Sequence, residues 1–170
     1  MAQQPVWIPA YIGVGSNLND PAAQVTRACE ALANLPDTRL MAVSKSYRNP
    51  PMGPQDQPDY VNAVAALLTR LAAHPLLAEL QKLEASLGRV RKAGDRWGPR
   101  VIDLDLLMHG LSRAATAELT LPHPGISERN FVLFPLCDIA PLLVVPGQGT
   151  VERLAAAADR ADLIALSPVG

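Results

Sequence analysis

The chain has 170 residues, 49% apolar and 18% charged, with a net charge of −1, the makeup of one ordinary globular domain. A pI near 6.3 excludes a general nucleic-acid binder, which carries a strong basic excess. The composition also excludes a disordered chain, and no apolar run approaches the roughly 20 residues that a membrane span needs. Met1-Ala2-Gln3-Gln4-Pro5-Val6-Trp7 holds neither a cation nor a hydrophobic stretch, so a cytoplasmic protein without a secretory leader is expected. Cys29 and Cys137 have no nearby Cys or His partner and read as reduced core residues.

Residues 10–14 read as a short buried strand ending at Gly15-Ser16-Asn17. Asp20 and Pro21 then supply the N-cap and first position of a helix, with Ala22, Val25, Ala28, Cys29 and Leu32 on one face and Pro36 beyond its end. Residues 40–47 have strand character. Four of the sixteen prolines fall in residues 48–59, a loop stiff enough to lose little entropy on closing over a ligand. Strand character resumes over 60–69. Pro75 starts a second helix with Leu76, Leu77, Leu80, Leu83 and Leu87 inward and Gly88 as its stop. Glu84 falls on that apolar stripe, within about 20° of Leu77, so it sits at the rim of a site or is paired. A strand over 101–109 follows, then a linker (110–118) and an apolar helix over 128–139. Thr150 is the expected cap of a last helix with Val151, Leu154, Ala155 and Ala158 inward.

No internal repeat or domain boundary is visible, so residues 1–170 are expected to form a single domain. The order strand-helix-strand-strand-helix-strand predicts an α+β fold with a ferredoxin-like βαββαβ core and a C-terminal extension. Its antiparallel sheet should carry the helices on one face and residues 101–109 as a central strand.

Arg96-Trp97-Gly98-Pro99-Arg100-Val101-Ile102-Asp103-Leu104-Asp105 is the most informative run. Period two puts Asp103 and Asp105 on the same sheet face, where neighbouring carboxylates repel unless something compensates. A hard divalent cation or an arginine cluster does so, and from Arg89 to Arg100 there are five cations against one acid. Taken singly, an Asp-x-Asp is a common pattern and a basic loop is usually a solvated surface. In this order they are the parts of an ATP-handling site: cations for phosphate oxygens, carboxylates for magnesium and an indole for a flat ring.

Four blocks resemble the 6-hydroxymethyl-7,8-dihydropterin pyrophosphokinases of folate biosynthesis. They are Tyr11-Ile12-Gly13-Val14-Gly15-Ser16-Asn17-Leu18, the segment 47–62 with Gly53-Pro54-Gln55-Asp56-Gln57-Pro58-Asp59-Tyr60, the segment 88–105, and the segment 119–136. The resemblance implies transfer of diphosphate from ATP to the pterin hydroxymethyl group, leaving AMP. It implies that Asp103 and Asp105 hold two magnesium ions, and that Arg89 and Arg100 stabilise charge on the transferred group. Arg91, His123 and Arg129 match further nucleotide contacts, while Gln81, Glu84, Leu106 and Thr120 fall where the family lines its ATP pocket. For the pterin, Phe131 and Tyr60 match the stacking residues and Asn62 the amide that reads the ring edge. Gly15, Pro50 and Met52 match other pocket positions, and Trp97 belongs to a loop closing over both substrates. Asn49 matches a pterin-contacting position where threonine is frequent in the family. Small-molecule substrates and a monomer, with no nucleic acid or membrane partner, complete the expectation.

Two other readings fit parts of the chain. A ferredoxin-like RNA-binding module would need exposed sheet-face aromatics, and aromatics make up only 4% of the residues. A kinase moving only the γ-phosphoryl group would use the same motif parts and would be told apart by making ADP.

Overall fold

The computed structural model describes residues 4–90 and 98–167. Along the chain run β1 (Ile8–Ser16), α1 (Pro21–Leu32), β2 (Thr38–Val43), β3 (Tyr47–Asn49), β4 (Tyr60–Thr69), α2 (Ala73–Ser86) and β5 (Asp103–His109). There follow β6 (Ala114–Ala115), β7 (Thr120–Leu121), α3 (Asn130–Ile139), β8 (Val144–Val145), β9 (Gly149–Thr150), α4 (Val151–Ala157) and β10 (Ile164–Ala165). The main sheet is antiparallel, in the order β10-β3-β4-β1-β5, with β2 also paired to β4.

Local chemistry explains most boundaries. Asp20 caps α1 through its carboxylate, which accepts from Ala23 N, and Pro21 fills the first position. α1 buries Val25, Ala28, Cys29 and Leu32. α2 begins two residues before Pro75, buries Leu76, Leu80 and Glu84, and is followed by Gly88 at φ +100°, a conformation that suits glycine.

The strand expected over 40–47 is two strands, both on β4. Between them Ser44 N donates to Val64 O (2.9 Å), and Val64 N donates back to the Ser44 hydroxyl (2.9 Å). That hydroxyl replaces a ladder acceptor where the backbone turns aside. Thr150 does precede α4, but its hydroxyl is buried and makes no capping bond.

Two expectations about the sheet need correction. Residues 103–109 form an end strand of the main sheet and not a central one. The chain leaves β4 through α2, crosses β1, and pairs on its far side, so β1 takes the central place. The outer edge of β5 is partly covered where His123 N donates to Leu107 O (2.9 Å).

The helices also lie on both faces. One face packs Ile12, Val14, Leu104 and Leu106 with Leu32 of α1 and Leu80 of α2. The other carries Val64, Leu107 and Met108, which are covered by Leu133 and Leu136 of α3 and Val151 of α4. Apolar residues on alternate positions of β4 and β5 face both ways, so both faces demand a cover. No helix among the described residues is long and apolar enough to cross a membrane.

Candidate active site

The second face of the sheet is only partly covered, and the part left open is a cavity of about 250 Å³. Its floor is written in the strand register. Gly15 lies between Asp103 on β5 and Asn62 on β4, and Gly13 lies between Asp105 and Val64. Two glycines at i and i+2 remove the side chains from the middle of this surface, so the carboxylates on one side and the amide on the other share open space. A Cβ on Gly15 would come within 2.5 Å of Asn62 Oδ1.

The carboxylates are held unequally. Asp103 accepts from Arg89 Nη1 through Oδ1 (2.7 Å) and from Arg100 Nη1 through Oδ2 (2.9 Å). Arg89 also bonds the buried Glu84 of α2, whose Oε2 accepts from Leu104 N at 3.4 Å. Burial disfavours the charge on Arg89, yet Asp103 and Glu84 together carry its pKa above the ordinary guanidinium value. Glu84 on the apolar stripe is therefore a paired acid. Asp105 is pushed up to about 7, by desolvation first and then by the charge on Asp103, with Arg129 and Arg100 opposing. A bound cation would stabilise a carboxylate whose charge is disfavoured by burial and by a neighbouring acid.

Among the described residues no cluster of three or more His, Cys, Asp or Glu could form a metal cage. Two same-face carboxylates of hard oxygen donors nonetheless fit a divalent ion that takes its remaining ligands from phosphates and water.

Across the cavity, Tyr60 begins β4 and Phe131 sits in the first turn of α3, and both line the wall with Met52. The Tyr60 hydroxyl donates to Gly98 O (3.1 Å). His123 and Arg129 come from the segment between β7 and α3. Gly125 N donates to His123 Nδ1 (3.0 Å), which makes Nδ1 an acceptor and leaves Nε2 to carry the proton. Desolvation, and then the charge of Arg129, lower the His123 pKa, so the ring is neutral near pH 7.

Of the residues expected at the site, Gly15, Asn49, Met52, Tyr60, Asn62, Arg100, Asp103, Asp105, His123, Arg129 and Phe131 all line this cavity. Gln81, Glu84 and Arg89 line a neighbouring one on the α2 side. Pro50 lines an adjacent hollow with Asn130 and Leu163. Leu106 lies apart, 3% exposed in the core under α1 and α2, because it alternates with the two acids on β5. Thr120 is exposed on β7. Arg91, Arg96 and Trp97 lie outside the described residues.

The sequence alone assigned no role to Gly13 or to Asn17. Asn17 is 1% exposed and uses its whole amide: Oδ1 accepts from Arg100 N (2.8 Å), and Nδ2 donates to Gln57 Oε1 and Pro58 O (3.0 Å each). Its only sequence signal is its place immediately after the Gly-x-Gly strand.

The sequence profile described as 7,8-dihydro-6-hydroxymethylpterin-pyrophosphokinase matches residues 11–141. The chain belongs to that family. The 2-amino-4-hydroxy-6-hydroxymethyldihydropteridine pyrophosphokinase of Haemophilus influenzae is 46% identical over 86% of this chain and 91% of its own. Its counterpart in Pseudomonas aeruginosa is 48% identical over 86% and 90%. Among solved structures, wild-type Plasmodium falciparum HPPK-DHPS with pteroate matches 92% of this chain with a TM-score of 0.69. The identity there is 12%, a likeness of fold, and the chain spans 43% of that longer protein. The pyrophosphokinase profile thus covers β1 through α3, the elements that supply the cavity's lining residues.

Proposed function

We propose that this chain transfers a diphosphoryl group from ATP to the hydroxymethyl group of 6-hydroxymethyl-7,8-dihydropterin, a step of tetrahydrofolate biosynthesis. The observation that carries the reading is one cavity floor with paired acids at one end and Asn62 at the other, separated by Gly13 and Gly15. A polyphosphate-handling group and a ring-reading group face each other across the span a reacting alcohol would occupy.

The hydroxymethyl oxygen attacks the β-phosphorus, the bond from that phosphorus to the α-phosphate oxygen breaks, and the hydroxyl proton is released. AMP and the pterin diphosphate result. Asp103 and Asp105 would hold two magnesium ions, which supply neutralisation of the polyphosphate charge. Arg100 and Arg89 stand preorganised by Asp103, so they meet developing charge without first being desolvated or ordered. Neutral His123 offers an Nε2–H to an oxygen, and Arg129 and Arg91 add charge for the nucleotide. Tyr60 and Phe131 stack on the flat bicycle.

The volume of about 250 Å³ suits one small heterocycle, so the nucleoside lies beyond the acids. We place it toward Gln81 and Glu84, past the edge of β5 near Leu106 and Thr120. An end strand favours this arrangement, since a triphosphate can pass from one side of β5 to the other without crossing the sheet.

The strand order β3-β4-β1-β5 with α1 and α2 on one face supports a ferredoxin-like core, and residues after β5 read as a C-terminal extension. A single domain acting as a cytoplasmic monomer on small molecules, without nucleic-acid or membrane partners, completes the proposal. Both cysteines are free, in keeping with a reducing compartment.

Incubation with ATP, magnesium and 6-hydroxymethyl-7,8-dihydropterin tests the proposal. AMP and pterin diphosphate should form one for one. ADP as the nucleotide product would replace this reading with simple γ-phosphoryl transfer.

A further inference from the structure

Asn49 and Asn62 are diagonal neighbours on paired strands. Asn62 stands opposite Tyr47, and Asn49 opposite Tyr60. Asn49 is 6% exposed, and its Nδ2 donates to Pro50 O (3.1 Å). A carbonyl can only accept, so that bond settles which end of the Asn49 amide is nitrogen. The oxygen end therefore faces Asn62, and it accepts from Asn62 Nδ2 at 2.6 Å.

The consequence falls on Asn62. With one N–H of its NH2 group taken by Asn49, its Oδ1 turns toward Gly15, where a side chain would leave no room for it. An isolated asparagine can present either end of its amide to a ligand, since the two ends have the same shape. Here the choice is relayed from a backbone carbonyl through a buried side chain. We propose that Asn49 is a positioning residue: it locks Asn62 with the oxygen toward the cavity, so that the site selects a ring edge that donates an N–H. This rests on the pterin reading above, and it gives the Asn49 side chain a role through Asn62. A ring presenting only acceptors there would face a second acceptor and be rejected.

The test measures the affinity for 6-hydroxymethyl-7,8-dihydropterin by calorimetry, with an α,β-methylene ATP analogue and magnesium present at saturation. Asn49→Val removes the acceptor and keeps most of the bulk, while Asn49→Thr restores an oxygen on nearly the same shape. Both are made alone and together with Asn62→Ala.

The lock predicts about a tenfold loss for Asn49→Val, recovery to within about threefold of the original for Asn49→Thr, and analogue affinity unchanged in both. In the Asn62→Ala background, Asn49→Val should cost less than about twofold more. Binding by Asn49→Val equal to the unsubstituted chain overturns the proposal. So does an equal loss in both backgrounds, or a threonine variant no better than the valine one. If the unsubstituted chain itself fails to bind the dihydropterin, the pterin reading falls and the lock with it. Binding by that chain with no effect of Asn49→Val sinks the lock alone.

Discussion

Asn17 and Arg100 are tied twice, side chain to backbone and backbone to backbone. Asn17 Oδ1 accepts from Arg100 N at 2.8 Å, and Asn17 N donates to Arg100 O at 3.0 Å. The same side chain holds Gln57 and Pro58 of the proline-rich loop. One buried amide thus joins the end of β1 to the loop beside the pterin-facing wall and to the backbone of an arginine on Asp103.

Asn17→Ala should therefore do two things. Loss of three part-buried hydrogen bonds should lower stability by about 2–4 kcal/mol in denaturant unfolding. Turnover should fall by about tenfold as Arg100 loses one of its two backbone ties. A variant with original stability and rate would show the clamp to be idle.

Gly15→Ala places a methyl group 2.5 Å from Asn62 Oδ1, too close for either to remain where it is. The fold should survive, because the affected surface opens on the cavity. The KM for dihydropterin should rise about tenfold or more while the KM for ATP stays within about twofold. Steady-state kinetics with each substrate varied in turn would detect a shared loss, which would argue for general distortion.

Arg100→Ala should lower kcat by on the order of 100-fold and leave ATP affinity within a few-fold, since a preorganised guanidinium counts most where charge develops. Nucleotide-analogue titration beside single-turnover rates separates the two. Equal losses would make Arg100 an ordinary binding contact.

Asp105 links the site to pH. Its folded-state pKa of about 7 lies above the usual carboxylate range, so without metal the folded state binds the proton more tightly than the unfolded chain does. Stability of the metal-free protein should then fall as pH rises from about 4 to about 7, by a few kcal/mol at about 1.4 kcal/mol per unit. Asp105→Asn should flatten that decline and be the more stable form at pH 8, while losing nearly all turnover. Unfolding curves in chelator at pH 5 and pH 8 supply the check. A substitution destabilising at both values would place the carboxylate in a structural role.

The sequence alone carried much of the chemistry. Asp103 and Asp105 share a face because strand side chains alternate, and that holds wherever the strand is placed. The cap at Asp20-Pro21, the apolar stripe of α2 and the family motifs were legible for the same reason: each depends on neighbours in the chain.

Tertiary structure decided what depends on pairing across it. Whether β5 lay inside or at the end of the sheet turned on α2 carrying the chain over β1, and no local pattern encodes a crossover. Leu106 lies on the opposite face from the two acids because its alternate position on β5 turns it toward α1 and α2. Asn17 and Asn49 gained their roles from partners 83 and 13 residues away, through hydrogen bonds that exist only once the strands are in register. Periodicity fixes the direction in which a side chain points, whereas the group it meets is set by long-range packing.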